Sequence, residues 1–263
     1  MGEFKSGISK VNKPKIESSS NQNIEMIFDH CFEISEIAEN DIIPVGGESM
    51  FSAKVNVTAI ADFENLKDFF VKTRKLAEGY NLIKIEKQLV AQGVNINPEI
   101  FAKLIAFSRS YDEQFPYNPQ GANSRQKIYE EKDIKISDVF RLNSAECAEI
   151  SALAQVYLQN ESIQSRYFSG EVCWNKDGEN LESEAHSFIL LEDGDKTYIY
   201  DPANPFTLPN GKFPSLYTID KDFNSEVRQG QKRLVTAKNI ISDQEAYFGV
   251  NNQTYIDPER HIV

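Results

Sequence analysis

Residues 186–201 read HSFILLEDGDKTYIYD, and this stretch decides the fold class. Two runs rich in β-branched and aromatic side chains flank Asp193-Gly194, a dipeptide typical of two-residue β-hairpin turns. With these two residues in the turn, counting outward along both strands places His186 directly opposite Asp201. The sequence therefore predicts an antiparallel sheet that carries both side chains on one face.

Upstream of this hairpin the hydrophobic pattern is mainly helical. Alternation of apolar and polar residues over 51–60 predicts one half-buried strand. Apolar residues at helical spacing predict helices over about 63–78, 82–91 and 98–110. Asp62 and Asn97 are the predicted N-caps of the first and third helices. The segment 113–125 is rich in Pro, Gly and amide side chains, so it is predicted to be a loop or a domain boundary.

These patterns divide the chain into three parts. Residues 1–24 are rich in Ser, Lys and Asn and are predicted to be a disordered lead. Residues 25–124 are predicted to form a mainly helical N-terminal region, and 125–263 a domain built on the antiparallel sheet. The predicted fold class is α+β.

Composition excludes several classes of protein. The 263 residues include 28 Lys and Arg against 40 Asp and Glu, a net charge of −12, and so acidic a surface disfavours nucleic acid as a partner. No apolar run approaches the roughly 18 to 20 residues of a membrane-spanning helix, so we expect no membrane partner. The N-terminus lacks the roughly 7 to 15 residue apolar core of a signal peptide, which predicts a cytoplasmic protein or one injected into a host cell.

Cofactor sites are also not expected. The three cysteines form no Cys-x-x-Cys pair, and no His-x-x-x-His pair exists, so neither zinc nor a disulfide framework is predicted. No glycine-rich phosphate loop is present, so we expect no nucleotide cofactor.

Cys147 is the candidate nucleophile. Apolar residues recur at helical spacing after it, and Asn143 or Ser144 is the predicted N-cap, so Cys147 falls in the first turn of a helix. Unpaired N–H groups and the helix dipole at that position favour an anion, which here is the thiolate. A small buried apolar filler is the alternative interpretation of this cysteine.

His186 and Asp201 complete a candidate triad. A carboxylate opposite the imidazole can fix its tautomer and stabilise the imidazolium that keeps Cys147 ionised. Taken alone, His186 could be a core histidine and Asp201 a turn former, but the three residues occur together in the order that thiol catalysis needs.

These segments resemble the transglutaminase-like superfamily, which includes the papain-like cysteine proteases. The resemblance covers about residues 138–205 and rests on a cysteine that opens a helix, a strand with Arg and Gly, a strand that begins with His and a strand that ends in Asp-Pro. The matching pieces are Ser144-Ala145-Glu146-Cys147, Arg166-Tyr167-Phe168-Ser169-Gly170, Ala185-His186-Ser187-Phe188 and Tyr200-Asp201-Pro202.

The resemblance implies that 125–263 is a transglutaminase-like catalytic domain whose nucleophile helix packs on an antiparallel sheet. Cys147 would be the nucleophile, His186 the general base and acid, and Asp201 its orienter. The expected activity is acyl transfer from carboxamides of protein or peptide substrates, as a protease, a deamidase or a transglutaminase, without a cofactor. The small glycine that many members carry before the cysteine is absent here.

Substrate-binding residues are less defined by the sequence. Trp174 is predicted either as a wall of the substrate cleft or as sheet core, and Asn143, Gln126 and Trp174 are candidate second oxyanion donors. The acceptor of the acyl group can be water or an amine. A catalytically inactive binding module and a small-molecule acyltransferase are the alternative functions. The abundance of Ile, Asn, Lys and Glu is typical of a low-GC bacterium, and with the polar lead it suits an injected effector.

Overall fold

The protein is α+β, as predicted. The computed structural model describes residues 24–28, 31–46, 57–118, 121–129, 134–175, 181–209, 211–219, 235–239 and 245–249. The predicted lead 1–24 lies outside these ranges except for Ile24, and so does the first part of the predicted strand, 51–56.

Six α-helices occur in the described residues. They are α1 (Lys67–Glu78), α2 (Leu82–Ala91), α3 (Pro98–Gln114), α4 (Gly121–Ile128), α5 (Ile136–Arg141) and α6 (Cys147–Asn160). A short 3-10 turn, Phe63–Leu66, leads directly into α1. The predicted helices are thus confirmed, and α3 continues past its predicted end to Gln114.

Two predictions about helix ends have different outcomes. Asn97 caps α3 as predicted, since its side chain accepts a hydrogen bond from the N–H of Glu99 at 2.8 Å. Asp62 occupies the predicted N-cap position, at the start of the 3-10 turn, but its side chain makes no capping hydrogen bond. Its carboxylate instead accepts hydrogen bonds from the N–H and the hydroxyl of Ser137 on α5, because Asp62 is buried against that helix.

The prediction of a loop over 113–125 is wrong in part, because α4 begins at Gly121. The composition of this segment gives it a weak intrinsic preference for helix. Arg125 of α4 is 2% exposed and bonds to the buried carboxylate of Glu149 on α6. Tertiary contacts of this kind stabilise short helices that propensity alone does not.

The described strands form one large antiparallel sheet and one small hairpin. They are β1 (Ile24–Phe28), β2 (Cys31–Ile34), β3 (Ile42–Gly46), β4 (Val57–Ile60), β5 (Ser165–Asn175), β6 (Leu181–Asp193), β7 (Lys196–Leu208), β8 (Gly211–Ile219), β9 (Val235–Asn239) and β10 (Glu245–Gly249). The order in the large sheet is β1-β2-β5-β10-β9-β8-β7-β6. A further pairing of β5 with β6 closes the six strands from β5 to β10 into a ring, and β3 pairs with β4 in the small sheet.

The register of the β6–β7 hairpin differs from the prediction by two residues. Gly194 and Asp195 form the turn, so that Asp193 pairs with Lys196 and Ile189 with Tyr200. Gly194 has φ +64°, and glycine supplies this left-handed backbone at the first position of a two-residue turn without steric cost. The predicted direct pairing of His186 with Asp201 is therefore wrong, but a slip of two leaves both residues on one face.

Helix α6 packs against β5, β6 and β7, and this contact positions the candidate site. Its buried residues, such as Leu153, belong to one hydrophobic cluster that runs from Ile34 to Leu216. That cluster crosses the predicted domain boundary near residue 125, and β2 from the N-terminal region pairs with β5. The region 25–124 contains β1 to β4 in addition to α1, α2 and α3.

Candidate active site

Cys147 is the first residue of α6 and is partly exposed. The prediction that it lies in the first turn of a helix is confirmed. The predicted caps are wrong, because the N-cap is Glu146. Asn143 lies in the preceding turn with φ +53°, and Ser144 is 1% exposed against α5.

Helix α6 starts at Cys147 because the Glu149 side chain bonds to the backbone of the N-cap residue, Glu146. Oε2 of Glu149 accepts a hydrogen bond from the backbone N–H of Glu146 at 3.0 Å, and the two residues form a capping box. Backbone N–H groups of the first turn have no partner within the helix. The amino end of α6 therefore presents N–H groups and the positive end of the helix dipole beside the Cys147 thiol.

His186 and Asp201 are in direct contact. Nε2 of His186 lies 2.9 Å from Oδ2 of Asp201, and the two residues are 8% and 0% exposed. His186 also stacks beside Phe188, with ring centroids 6.4 Å apart. The predicted contact is confirmed, although the residues meet along a diagonal of the hairpin.

Asp201 has further support that the sequence analysis did not identify. Nδ2 of Asn204 donates to Oδ2 of Asp201 at 3.0 Å, and the N–H of Ala203 donates to Oδ1 at 3.2 Å. Both donors lie in β7, which does not end at Asp201-Pro202 but continues to Leu208 with a register shift after Asp201. The Asp-Pro-Ala order was the available signal for the Ala203 bond, since Asp side chains commonly accept from backbone N–H groups two residues on.

The Cys147 thiol also acts on the imidazole, because its interaction with His186 helps to raise the pKa of that histidine. Burial by itself lowers the pKa of His186. The Asp201 carboxylate and then Cys147 outweigh burial and raise the pKa of His186 to about 10. The imidazole is thus protonated at neutral pH and lies between a carboxylate and a thiol.

A buried ionic cluster lies behind the amino end of α6, and sequence analysis missed it. Oε1 of Glu149 accepts from Nη2 of Arg125 at 2.7 Å and from the hydroxyl of Tyr129 at 2.6 Å. Nη1 of Arg125 lies 3.3 Å from Oε2 of Glu146. No sequence signal pointed to Arg125, because it falls in a segment whose composition is typical of a loop.

The predicted substrate-binding residues are placed only in part. Trp174 lies on β5 with Glu182 as its partner, four positions beyond Gly170, which pairs with His186. The side chains of Trp174 and Gln126 lie outside the described residues. Asn143 precedes the nucleophile helix, and its carbonyl accepts from the N–H of Asn118 at 2.8 Å. Their roles in binding substrate stay predictions.

Among the residues that the structure describes, no group of three or more His, Cys, Asp or Glu could hold a metal ion. Within the same ranges, no helix is both long and apolar enough to cross a bilayer.

Comparison with known proteins does not add a family. No protein-family model, no curated protein and no solved structure matches this chain.

Proposed function

We propose that this protein is a thiol-dependent acyl-transfer enzyme with Cys147, His186 and Asp201 as its triad. It acts on carboxamides of protein or peptide substrates, as a protease, a deamidase or a transglutaminase. The observation that carries the proposal is a partly exposed Cys147 at the first position of α6, which interacts with a histidine that a buried Asp201 holds.

Each residue has a role that its surroundings support. The protonated imidazole and the amino end of α6 both stabilise a negative charge on Sγ of Cys147. Asp201 fixes the imidazole orientation through Nε2, which leaves Nδ1 as the ring nitrogen for the thiol. A thiolate, an oriented imidazolium and N–H groups at a helix start are the components of thiol acyl transfer.

The reaction proceeds in two steps. Sγ of Cys147 attacks the carbonyl carbon of the carboxamide, and the backbone N–H of Cys147 helps to hold the oxyanion. The C–N bond then breaks, His186 protonates the leaving amine, and a thioester remains. Neutral His186 next takes a proton from water or from a second amine, which attacks the thioester and releases Cys147 as thiolate.

The transglutaminase-like core is part of this proposal. Three features support it: α6 packs on an antiparallel sheet, the histidine lies on β6, and the aspartate lies on the neighbouring β7 before a proline. We also propose an injected bacterial effector as the biological setting, which the polar residues 1–24 and the amino-acid usage favour.

The first test is the pH dependence of thiol alkylation. Iodoacetamide labelling of each cysteine is followed by mass spectrometry from pH 5 to pH 10, with Cys31 and Cys173 in the same chain for comparison. We expect Cys147 to react faster than a free thiol at pH 7 and to lose that advantage in His186→Gln. If its rate matches a free thiol and rises only near about pH 8.5, the proposal is wrong.

A second test addresses the substrate class. The wild-type protein and Cys147→Ala are incubated with a bacterial or host lysate, and released ammonia, new N-termini and isopeptide links are measured. We expect at least one of these products with the wild type alone. An activated thiol that yields none of them, but is acylated by acetyl-coenzyme A, would contradict the protein-substrate assignment and favour a small-molecule acyltransferase.

A further inference from the structure

The buried carboxylate of Glu149 creates an electrostatic problem for the candidate nucleophile. Glu149 is 0% exposed and lies in the first turn of α6, two positions after Cys147. A negative charge at this place competes with a thiolate for the positive end of the helix. Like charges within one helical turn disfavour each other's ionised form, and they do so more strongly where water is excluded.

The same carboxylate is also structurally useful. Its Oε2 holds the backbone N–H of Glu146, which sets the start of α6 and the position of Cys147. Replacing the carboxylate with an apolar side chain would leave that N–H without its acceptor. The fold therefore keeps a charged cap beside a thiol that functions as an anion.

Arg125 is placed to resolve this conflict. Its Nε and Nη2 lie 3.0 and 2.7 Å from Oε1 of Glu149, and its Nη1 approaches the Glu146 carboxylate. The guanidinium is 2% exposed, so its charge is poorly screened by solvent. It is also stacked over the ring of Tyr129, whose hydroxyl donates to Glu149.

We propose that Arg125 is a positioning residue that neutralises Glu149, so that this carboxylate holds the first turn of α6 without opposing the Cys147 thiolate. The inference rests on the proposed function and states which residue neutralises the Glu149 charge at the same site. Arg125 acts through Glu149, to which its guanidinium is bonded.

The ionisable groups around Cys147 come from every element packed there. His186 and Asp201 on β6 and β7 form a pair with no net charge. Tyr167 on β5 is fully buried, and burial above all, with smaller effects of Cys147 and Glu149, raises its pKa above the usual range against the lowering effect of the Ser187 hydrogen bond, so it stays neutral. Among the described residues, the charged side chains of the cluster behind Cys147 are Glu146, Glu149 and Arg125, and Arg125 is the cation of those three.

The test compares the midpoint of the Cys147 alkylation–pH profile among charge variants. Arg125→Met removes the guanidinium and keeps an apolar stem, and we expect the midpoint to rise by about one pH unit, a roughly tenfold slower reaction at pH 7. Arg125→Met/Glu149→Gln removes both charges, and we expect the midpoint to return to that of the wild type. Far-UV circular dichroism and thermal melting confirm folding of each variant.

A merely structural role predicts a different pattern. The double variant lacks the whole ion pair, so loss of structure would leave its midpoint as high as that of Arg125→Met or higher, and that result overturns the proposal. An unchanged midpoint in Arg125→Met also overturns it. If Arg125→Met does not fold, Glu149→Gln decides: a lower midpoint supports the proposal, and an unchanged or higher one contradicts it.

Failure of this inference is distinguishable from failure of the proposed function. The wild-type rate relative to a free thiol tests the proposed function. The shift of the Cys147 alkylation midpoint between variants tests whether Arg125 neutralises Glu149. This shift can be measured whether or not wild-type Cys147 reacts faster than a free thiol.

Discussion

Nε2 of His186 lies 2.9 Å from Oδ2 of Asp201, although the two residues are not opposite each other in the hairpin. Ile189 is the partner of Tyr200, so continuation of this register would put Asp201 two positions from His186 along β6. A displacement of two keeps both side chains on one face, where diagonal neighbours remain within reach of long side chains. Asp201 is fully buried and the imidazole nearly so, which makes their interaction strong.

Replacement of the carboxylate should change the protonation state of the histidine. In Asp201→Asn, we expect the pKa of His186 to fall from about 10, because burial lowers it and the main opposing charge is gone. Catalytic efficiency should fall by roughly 10³- to 10⁴-fold, as it does when a triad aspartate is made neutral. NMR titration of the histidine Cε1–H resonances, assigned with His186→Gln, measures the shift.

Asn204→Ala is the matched control for this substitution. It removes one donor to Asp201 and leaves the carboxylate and its charge. We expect less than a tenfold loss of activity and a free energy of unfolding lowered by about 1 kcal/mol. A His186 resonance that titrates identically in the wild type and in Asp201→Asn would show that Asp201 does not govern the imidazole.

The stability of the fold should depend on pH through the same pair. The pKa of His186 rises from an unfolded value near 6.5 to about 10 in the folded protein. A raised folded pKa means that the stabilisation is fully present below about pH 6.5 and is lost as pH rises through about 10. The lost contribution should be on the order of a few kcal/mol.

Urea unfolding of the wild type and of His186→Gln at pH 6 and at pH 10 measures this effect. We expect the wild type to exceed the variant in unfolding free energy at pH 6 and the difference to shrink at pH 10. Taking the difference cancels the titration of other groups. A difference that grows toward pH 10 would contradict the raised pKa.

The parts of the site that lie on regular elements were predictable from the sequence. Helical periodicity after Cys147 placed the thiol at a helix start, and alternation within the hairpin placed His186 and Asp201 on one face. The predicted turn was Asp193-Gly194, whereas the turn in the structure is Gly194-Asp195, because glycine takes the first position. This error changes the register by two residues, and since side chains alternate between faces with a period of two, His186 and Asp201 still lie on one face.

Long-range contacts were not predictable in this way. Arg125 and Glu149 are 24 positions apart and meet because α4 lies against residues Leu142 and Ser144, just before α6. The sheet also pairs β10 with β5, and their partner residues Tyr247 and Cys173 are far apart in sequence. Single-sequence periodicity reports which face of an element is buried and carries no information about which distant element covers it.

Asp62 should contribute to stability and not to thiol reactivity. Its buried carboxylate accepts from the N–H of Ser137 at 2.8 Å and from Nδ2 of Asn65 at 2.9 Å. Asp62→Ala leaves the buried Ser137 donors without an acceptor, so we expect a loss of roughly 2–4 kcal/mol in unfolding free energy. The alkylation profile of Cys147 in the folded variant should match the wild type.

Ser137→Ala serves as the control for Asp62→Ala. It removes the hydroxyl donor and keeps the backbone N–H bonded to the carboxylate. The cost should be near 1 kcal/mol. If chemical denaturation shows equal destabilisation by the two variants, the hydrogen bond from the Ser137 N–H to Asp62 contributes nothing beyond that from the hydroxyl, and the prediction is wrong.

Gly121 is a close-approach position that links α4 to the segment before Cys147. A Cβ added there would lie 2.8 Å from the carbonyl oxygen of Leu142 and 2.9 Å from Cβ of Ser144. Backbone cannot give way as a flexible side chain does, so Gly121→Ala should displace the Leu142–Ser144 turn. We expect a loss of about 1–3 kcal/mol in unfolding free energy and slower alkylation of Cys147.

Gly79→Ala is the matched glycine control. A Cβ at Gly79 would lie 3.4 Å from the carbonyl oxygen of Leu76, an ordinary contact, and its φ of −78° suits alanine. This substitution should be neutral or stabilising by up to about 1 kcal/mol, because alanine restricts the unfolded chain. Thermal melting and Cys147 alkylation at pH 7 measure both variants. Should Gly121→Ala melt and react like Gly79→Ala, the α4 contact would not set the position of the thiol.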